Sequence, residues 1–189
     1  MIISIIIIMD PIELIKKYYN PSSKAYRILL THSQAVANKS KDIAINLGFE
    51  KDRVRFIWEA AMLHDIGICK TFAPQMGCRG NKPYLCHGIE GKKILDKEGY
   101  KKHAHVCERH TGVGITAEDV RNQKLPLPAR DLSPRNTDEE IICYADLFFS
   151  KSSKDLKKPN TIEDIKRNLS RFGMEKVKRF ELWHKKFSK

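Results

Sequence analysis

No apolar run in this 189-residue sequence is long enough to cross a bilayer. The strongest, Met1 to Met9, falls far short of the roughly 18 residues that a spanning helix requires. It also lacks the basic flank and the small-residue cleavage site of a secretory leader. The expected reading is that Met9 is the true start and that residues 1–8 are a misassigned extension. No Cys-x-x-Cys pair occurs, and the cysteine count, five, is odd. Without a leader, this argues against a disulfide framework and for a reducing, cytoplasmic setting. Cys69, Cys78 and Cys86 with His87 are too widely spaced for a structural zinc site. A Cys78–Cys86 bridge is expected only in a hyperthermophilic source. Glutamine is scarce, while charged residues reach 31%, above the roughly 25% of an ordinary domain. That balance leans weakly toward a thermophile. No internal repeat and no convincing strand pattern is found, so the chain reads all-α.

The hydrophobic fraction, 41%, is enough for one sizeable core at this length. The net charge of +12 is uneven: residues 151–189 hold 13 basic against 5 acidic side chains. A basic surface steers anionic substrates, and a basic tail can touch nucleic acid. Here the basic residues are interleaved with an apolar stripe, which favours a solvated helix face.

Asp10-Pro11 opens a short helix to about Tyr19, which Asn20-Pro21-Ser22 breaks. A second short helix is expected to about Leu30. A longer one then starts at Thr31, with His32, Val36, Ile43 and Leu47 on one face and Gly48 at its end. Lys51-Asp52 begins the helix that carries Val54, Ile57 and Ala61 into His64-Asp65, and Gly67 is expected to turn the chain out of it. From Cys69 to Leu85 there is no clear period, which reads as a loop near the site bearing Lys70, Arg79 and Lys82. His87 starts another helix, and His103 and His110 share a face of the next. Thr137-Asp138-Glu139-Glu140 resembles a capping box, and its helix sets Asp146 in an apolar stripe with Ile142, Ala145 and Phe149. Residues 151–160 are polar and basic, the best candidate boundary. The last helix puts Met174, Val177, Phe180, Trp183 and Phe187 on one side, to cover either the core or a second subunit. A homodimer is therefore left open.

His64-Asp65 sets an imidazole beside a carboxylate where an apolar stripe ends. Burying such a pair without a partner is costly, and the negative end of a helix favours a cation. His32, His87, His110 and Asp146 also fall on core-facing stripes or at helix ends. Helical bundles build metal sites from such inward side chains. Imidazole suits Fe, Mn, Co, Ni or Zn, with Mg less suited.

The order His32, His64-Asp65-Ile66-Gly67 and a distant Asp146 resembles the HD superfamily of metal-dependent phosphohydrolases, in its HDIG form. The extra His87 and His110 resemble its two-metal members. The resemblance spans about Tyr26 to Ser150. It implies an all-α HD-domain helical bundle at residues 21–150, between an N-terminal segment, 1–20, and a basic helical appendage, 151–189. By resemblance, His32, His64, Asp65 and Asp146 hold one divalent metal, and Asp65, bridging, holds a second with His87 and His110. Two such ions activate water and clamp a phosphoryl oxygen. Hydrolysis of a phosphomonoester, phosphodiester or phosphoanhydride of a nucleotide is expected. Asp65, Lys70 and Arg109 are the catalytic candidates. Lys70, Arg79, Lys82 and Arg109 are the candidates for binding the anionic substrate, with His103 a reserve ligand or proton donor. The GYP branch of phosphodiesterases has two adjacent His where this chain has Arg109-His110, and no Gly-Tyr-Pro occurs. Cyclic dinucleotides are therefore not the expected substrates. The alternative is a catalytically weak, metal-bearing module that binds a nucleotide, or RNA through its basic C-terminus.

Overall fold

The computed structural model describes residues 9–151 and 156–188. The expectation for residues 1–8 lies outside the described residues. Helix α1 (Pro11–Tyr18) starts on Asp10, whose carboxylate accepts from the amides of Ile12 and Glu13. Helix α2 (Lys24–Asn46) is capped by the Ser23 hydroxyl. It is one helix of 23 residues, not the expected two. No breaker lies between Ala25 and Thr31, and Ala25, Ile28, Leu29, His32, Val36 and Ile43 form one buried stripe. Gly48, at φ +73°, turns the chain out. Helix α3 (Lys51–Leu63) packs along α2 and buries Ile57, Ala60 and Ala61.

The stretch after α3 has more structure than the expected loop. It holds 3-10 turns at Ile66–Lys70, Pro74–Met76 and Tyr84–Cys86. Between them runs an antiparallel ribbon, β1 (Phe72–Ala73) with β2 (Cys78–Arg79), pairing Phe72 with Arg79. Strands of two residues leave no alternation to read in a sequence. Helices α4 (His87–Lys97) and α5 (Lys101–Arg109) follow. Helix α6 (Ala117–Asn122) has a full capping box of Thr116 and Asp119. Helix α7 (Thr137–Asp146) is capped one residue earlier than expected, by Asn136, whose side chain accepts from the Glu139 amide. Helices α8 (Ile162–Ser170) and α9 (Met174–Phe187) complete the described chain. Among the described residues, no helix is long and apolar enough to cross a membrane.

The basic C-terminal helices share the core of the bundle. Val177, Phe180, Trp183 and Phe187 are buried, while Met174 is exposed. Tyr144 of α7 stacks on Phe180, with ring centroids 5.8 Å apart, and its hydroxyl lies 2.8 Å from His184 Nδ1. The apolar stripe therefore covers this chain's own α7, and Arg171, Lys178 and Lys185 face solvent. All five cysteines are free; Cys86 Sγ points at the Pro126 carbonyl, 3.0 Å away, and not at Cys78.

Candidate metal centre

Three histidines reach the centre by the same local device. His64 caps α3, and its Nδ1 lies 2.6 Å from the Ala61 carbonyl, three residues back. His87 Nδ1 lies 2.7 Å from the Tyr84 carbonyl, and His110 Nδ1, at the end of α5, 2.7 Å from that of Cys107. A carbonyl only accepts, so Nδ1 carries the hydrogen and each ring is held with Nε2 inward. For His64 and His110 the bond also engages a carbonyl in the last turn of the helix, while the Tyr84 carbonyl already accepts from the His87 amide. His32 comes instead from the middle of α2 and is fully buried.

Asp65 lies where these rings converge. Its Oδ2 is 3.3 Å from His32 Nε2 and 3.2 Å from His64 Nε2. Its Oδ1 is 3.4 Å from both His87 Nε2 and His110 Nε2. Asp146, at the end of α7, brings Oδ1 to 2.9 Å from His32 Nε2 and 3.4 Å from His64 Nε2. One carboxylate thus faces a histidine pair with each oxygen.

Close approach of backbones makes this convergence possible. A Cβ on Gly67 would lie 2.1 Å from the His87 carbonyl oxygen and 2.2 Å from the Gly91 nitrogen. A Cβ on Gly88 would lie 2.6 Å from the Cys107 carbonyl oxygen. Glycine at 67 and 88 therefore lets the 66–70 turn, α4 and α5 close on one another. Gly67 is not among the glycines with positive φ, so its role is close contact and not the helix-ending turn expected of it.

The six side chains fit a divalent cation. Ligand atoms about 2.1 Å from one ion stand roughly 3.0–3.4 Å apart across right or tetrahedral angles, the separations found here. His32, His64 and Asp146 offer atoms within 4.8 Å of one another, as do His64, Asp65 and His110. Asp65 Oδ1 and Asp146 Oδ1, both buried, accept no well-aligned hydrogen bond from the protein. Nitrogen donors with two carboxylates suit Fe, Mn, Co, Ni or Zn.

The electrostatics are those of two buried carboxylates and the cations they hold. Burial works against the charge of His64, but Asp65 and Asp146 outweigh it and hold the imidazolium up to about 10. His87 is pushed down to about 4 by burial, against the pull of Asp65. Burial also opposes ionisation of Asp65 and Asp146, yet Lys151 and the histidines keep both well below the usual carboxylate range. A metal must compete with the His64 proton, so its binding strengthens with pH.

Lys151 was not among the expected site residues. Its Nζ lies 2.8 Å from Asp65 Oδ2 and 3.6 Å from Asp146 Oδ1. The expected cations stand elsewhere. Arg109 is buried with its guanidinium 2.9 Å from Glu139 Oε1. Lys70, Arg79 and Lys82 have exposed side chains along the ribbon segment, and the Lys70 carbonyl accepts from the Lys82 amide at 3.2 Å. His103 faces Glu59 at 3.4 Å and packs on Phe56 and Tyr100. It lies nearly two turns of α5 from His110, on the order of 10 Å along the axis. A cleft of about 360 Å³ opens over the centre, lined by Met76, Tyr84, Asp146, Lys151 and Asn160. The Tyr84 ring stacks on His87, with centroids 4.9 Å apart.

A helical bundle gathering His32, His64-Asp65 and Asp146 around one point defines a class, and the family comparison agrees. The HD-domain model matches residues 29–149, and the chain belongs to the HD-domain family. The HD domain of the L. monocytogenes phosphodiesterase PgpH, solved in complex with cyclic-di-AMP, has the same fold. It superposes with a TM-score of 0.51 at 18% identity, covering 89% of this chain and 91% of that one. An uncharacterized protein of Methanocaldococcus jannaschii is 33% identical over 122 residues, 62% of this chain and 64% of that protein. A tRNA (cytidine(56)-2′-O)-methyltransferase of Picrophilus torridus is 32% identical over 130 residues, 68% of this chain. The corresponding protein of Thermoplasma volcanium is 26% identical over 141 residues, 74% of this chain. The chain spans only 33% and 36% of the length of those two methyltransferases.

Proposed function

We propose that this chain hydrolyses a phosphate ester or anhydride of a nucleotide, with one or two divalent ions held by His32, His64, Asp65, His87, His110 and Asp146. The observation that carries this reading is the carboxylate of Asp65, with one histidine pair at each oxygen. Divalent ions in such a donor set acidify water and draw charge from phosphoryl oxygens. The chain's own residues do the rest. The Nδ1 bonds hold His64, His87 and His110 in one orientation. Lys151 is the cation beside the centre, and its ammonium can meet charge that develops on a phosphoryl oxygen. That role passes to it from Lys70 and Arg109. The Tyr84 ring, stacked on His87, walls the cleft.

The test is the full chain loaded with Mn²⁺, Co²⁺ or Ni²⁺, its metal content measured per chain. It is assayed on nucleoside monophosphates, cyclic phosphodiesters and dinucleoside polyphosphates. Turnover of one of these classes, abolished by chelation, is the expected result. A metal-bearing chain that turns over none of them overturns the reading. Lys151→Gln is expected to lower kcat by about a hundredfold, as for removal of one donor to a developing oxyanion. Its metal content should not change; loss of metal instead would make Lys151 structural.

A second reading is docking on RNA. It is favoured by the names of the two methyltransferase relatives and by the exposed basic residues of α8 and α9. Deleting residues 151–189 does not test it, because that removes Phe180 and Trp183 from the core. Replacing Arg171, Lys178 and Lys185 by Gln leaves the packing in place. If RNA docks there, tRNA binding should weaken at least about tenfold at moderate salt and depend less steeply on salt. Binding unchanged in both respects sinks the RNA reading.

A further inference from the structure

We infer that the apolar cavity between the 111–115 loop and α8 takes the base of the nucleotide whose phosphate reaches the metal centre. This deepens the hydrolase reading and rests on it. The cavity measures about 290 Å³, close to the lower end of small-ligand pockets. Its walls are apolar: Leu85, Val113, Leu147, Ile165 and Leu169.

Chain neighbours of the centre's residues line it on three sides. Thr111 directly follows His110, Leu147 directly follows Asp146, and Leu85 lies two residues before His87. Leu147 also lines the cleft that holds Lys151, so the two spaces share a wall. The far side of the cavity is pinned. Lys176 of α9 donates to the Gly114 carbonyl at 3.0 Å and pairs with Asp119. Gly114 has φ +104°, and a Cβ there would lie 2.8 Å from the Ser133 side chain. The loop is therefore held against residue 133, and the cavity is formed before any ligand arrives.

The rim supplies what a flat heterocycle needs. Gln123 and Asn168 are exposed and present carboxamides, each both donor and acceptor, to a base edge. The Phe172 ring, 59% exposed, offers a face for stacking. A bare sugar phosphate would leave the apolar walls and both amides unused. A nucleobase uses all three while its phosphate points toward Lys151 and the ions.

The metal-loaded full chain is assayed on nucleotides and on ribose 5-phosphate, which lacks a base, and is titrated with adenosine and uridine, which lack phosphate. The nucleotide KM should lie at least about tenfold below that of ribose 5-phosphate, since only the base can fill the cavity. Gln123→Ala with Asn168→Ala should raise the nucleotide KM at least about fivefold, with ribose 5-phosphate unaffected. These two side chains are exposed, so folding is preserved. Leu169→Trp, which fills the cavity, should abolish nucleoside binding at an unchanged metal content. Equal KM values for nucleotide and ribose 5-phosphate, or no nucleoside binding, overturn the proposal. Absence of turnover on every phosphate would sink the hydrolase reading alone, since calorimetry with nucleosides still decides the cavity.

Discussion

Asp65→Asn is expected to lower turnover by at least about a thousandfold, equivalent to about 4 kcal/mol of activation free energy. Asp65 is fully buried and is the residue whose two oxygens face the two histidine pairs. Asparagine keeps the shape but turns one of those oxygens into an NH₂ group. That group would point its hydrogens at Nε2 lone pairs or at an ion, and the charge that binds the ion would be gone. Metal content should fall along with rate, while the helical signal persists. A variant that keeps its full metal and a rate within tenfold of the parent would remove Asp65 from the bridging role.

Gly67→Ala is expected to destabilise the fold by about 3 kcal/mol or more, at the upper end of overpacking costs. For a domain of this size that corresponds to a fall of roughly 6–12 °C in Tm. The added carbon would sit 2.1 Å from a carbonyl oxygen and 2.2 Å from an amide nitrogen. Both belong to backbone, so neither can swing aside as the end of a side chain could. Relief requires α4 to move off the 66–70 turn, carrying His87 away from Asp65. Gly48 is the contrast: a Cβ there meets nothing within 4 Å, and only its φ of +73° is strained. A thermal melt of Gly67→Ala that matches the parent would show that the contact at Gly67 is looser than described.

The inward placement of His32 and Asp146 is legible in the sequence because an apolar stripe fixes which way a helix faces. His32 shares its stripe with Val36 and Ile43, and all three are buried. The single long α2 looks like two helices in sequence because a Thr-His pair resembles a start, although Ser23 already caps the helix. Lys151 carries no signal in the sequence, because no periodicity reaches it. It follows Phe148-Phe149-Ser150 beyond the end of α7, in a stretch whose composition resembles a linker. Only the return of the chain over the centre sets its ammonium beside Asp65. Arg109 is the opposite case. It directly precedes His110, but adjacent residues on a helix point about 100° apart, and Glu139 receives it. Gly67 resembles punctuation in the sequence because glycine has two uses, and a sequence does not show which neighbour presses on it.

The tether from three of the four central imidazoles to a carbonyl three residues behind has a consequence for how such a protein can change. The aim of His64, His87 or His110 is encoded within four consecutive residues, as a self-contained cassette. Connecting segments can lengthen, shorten or exchange their composition without re-aiming a ring, provided the cassettes dock on the same glycine contacts. The connections are therefore free to vary, while the aim of these three rings stays constant.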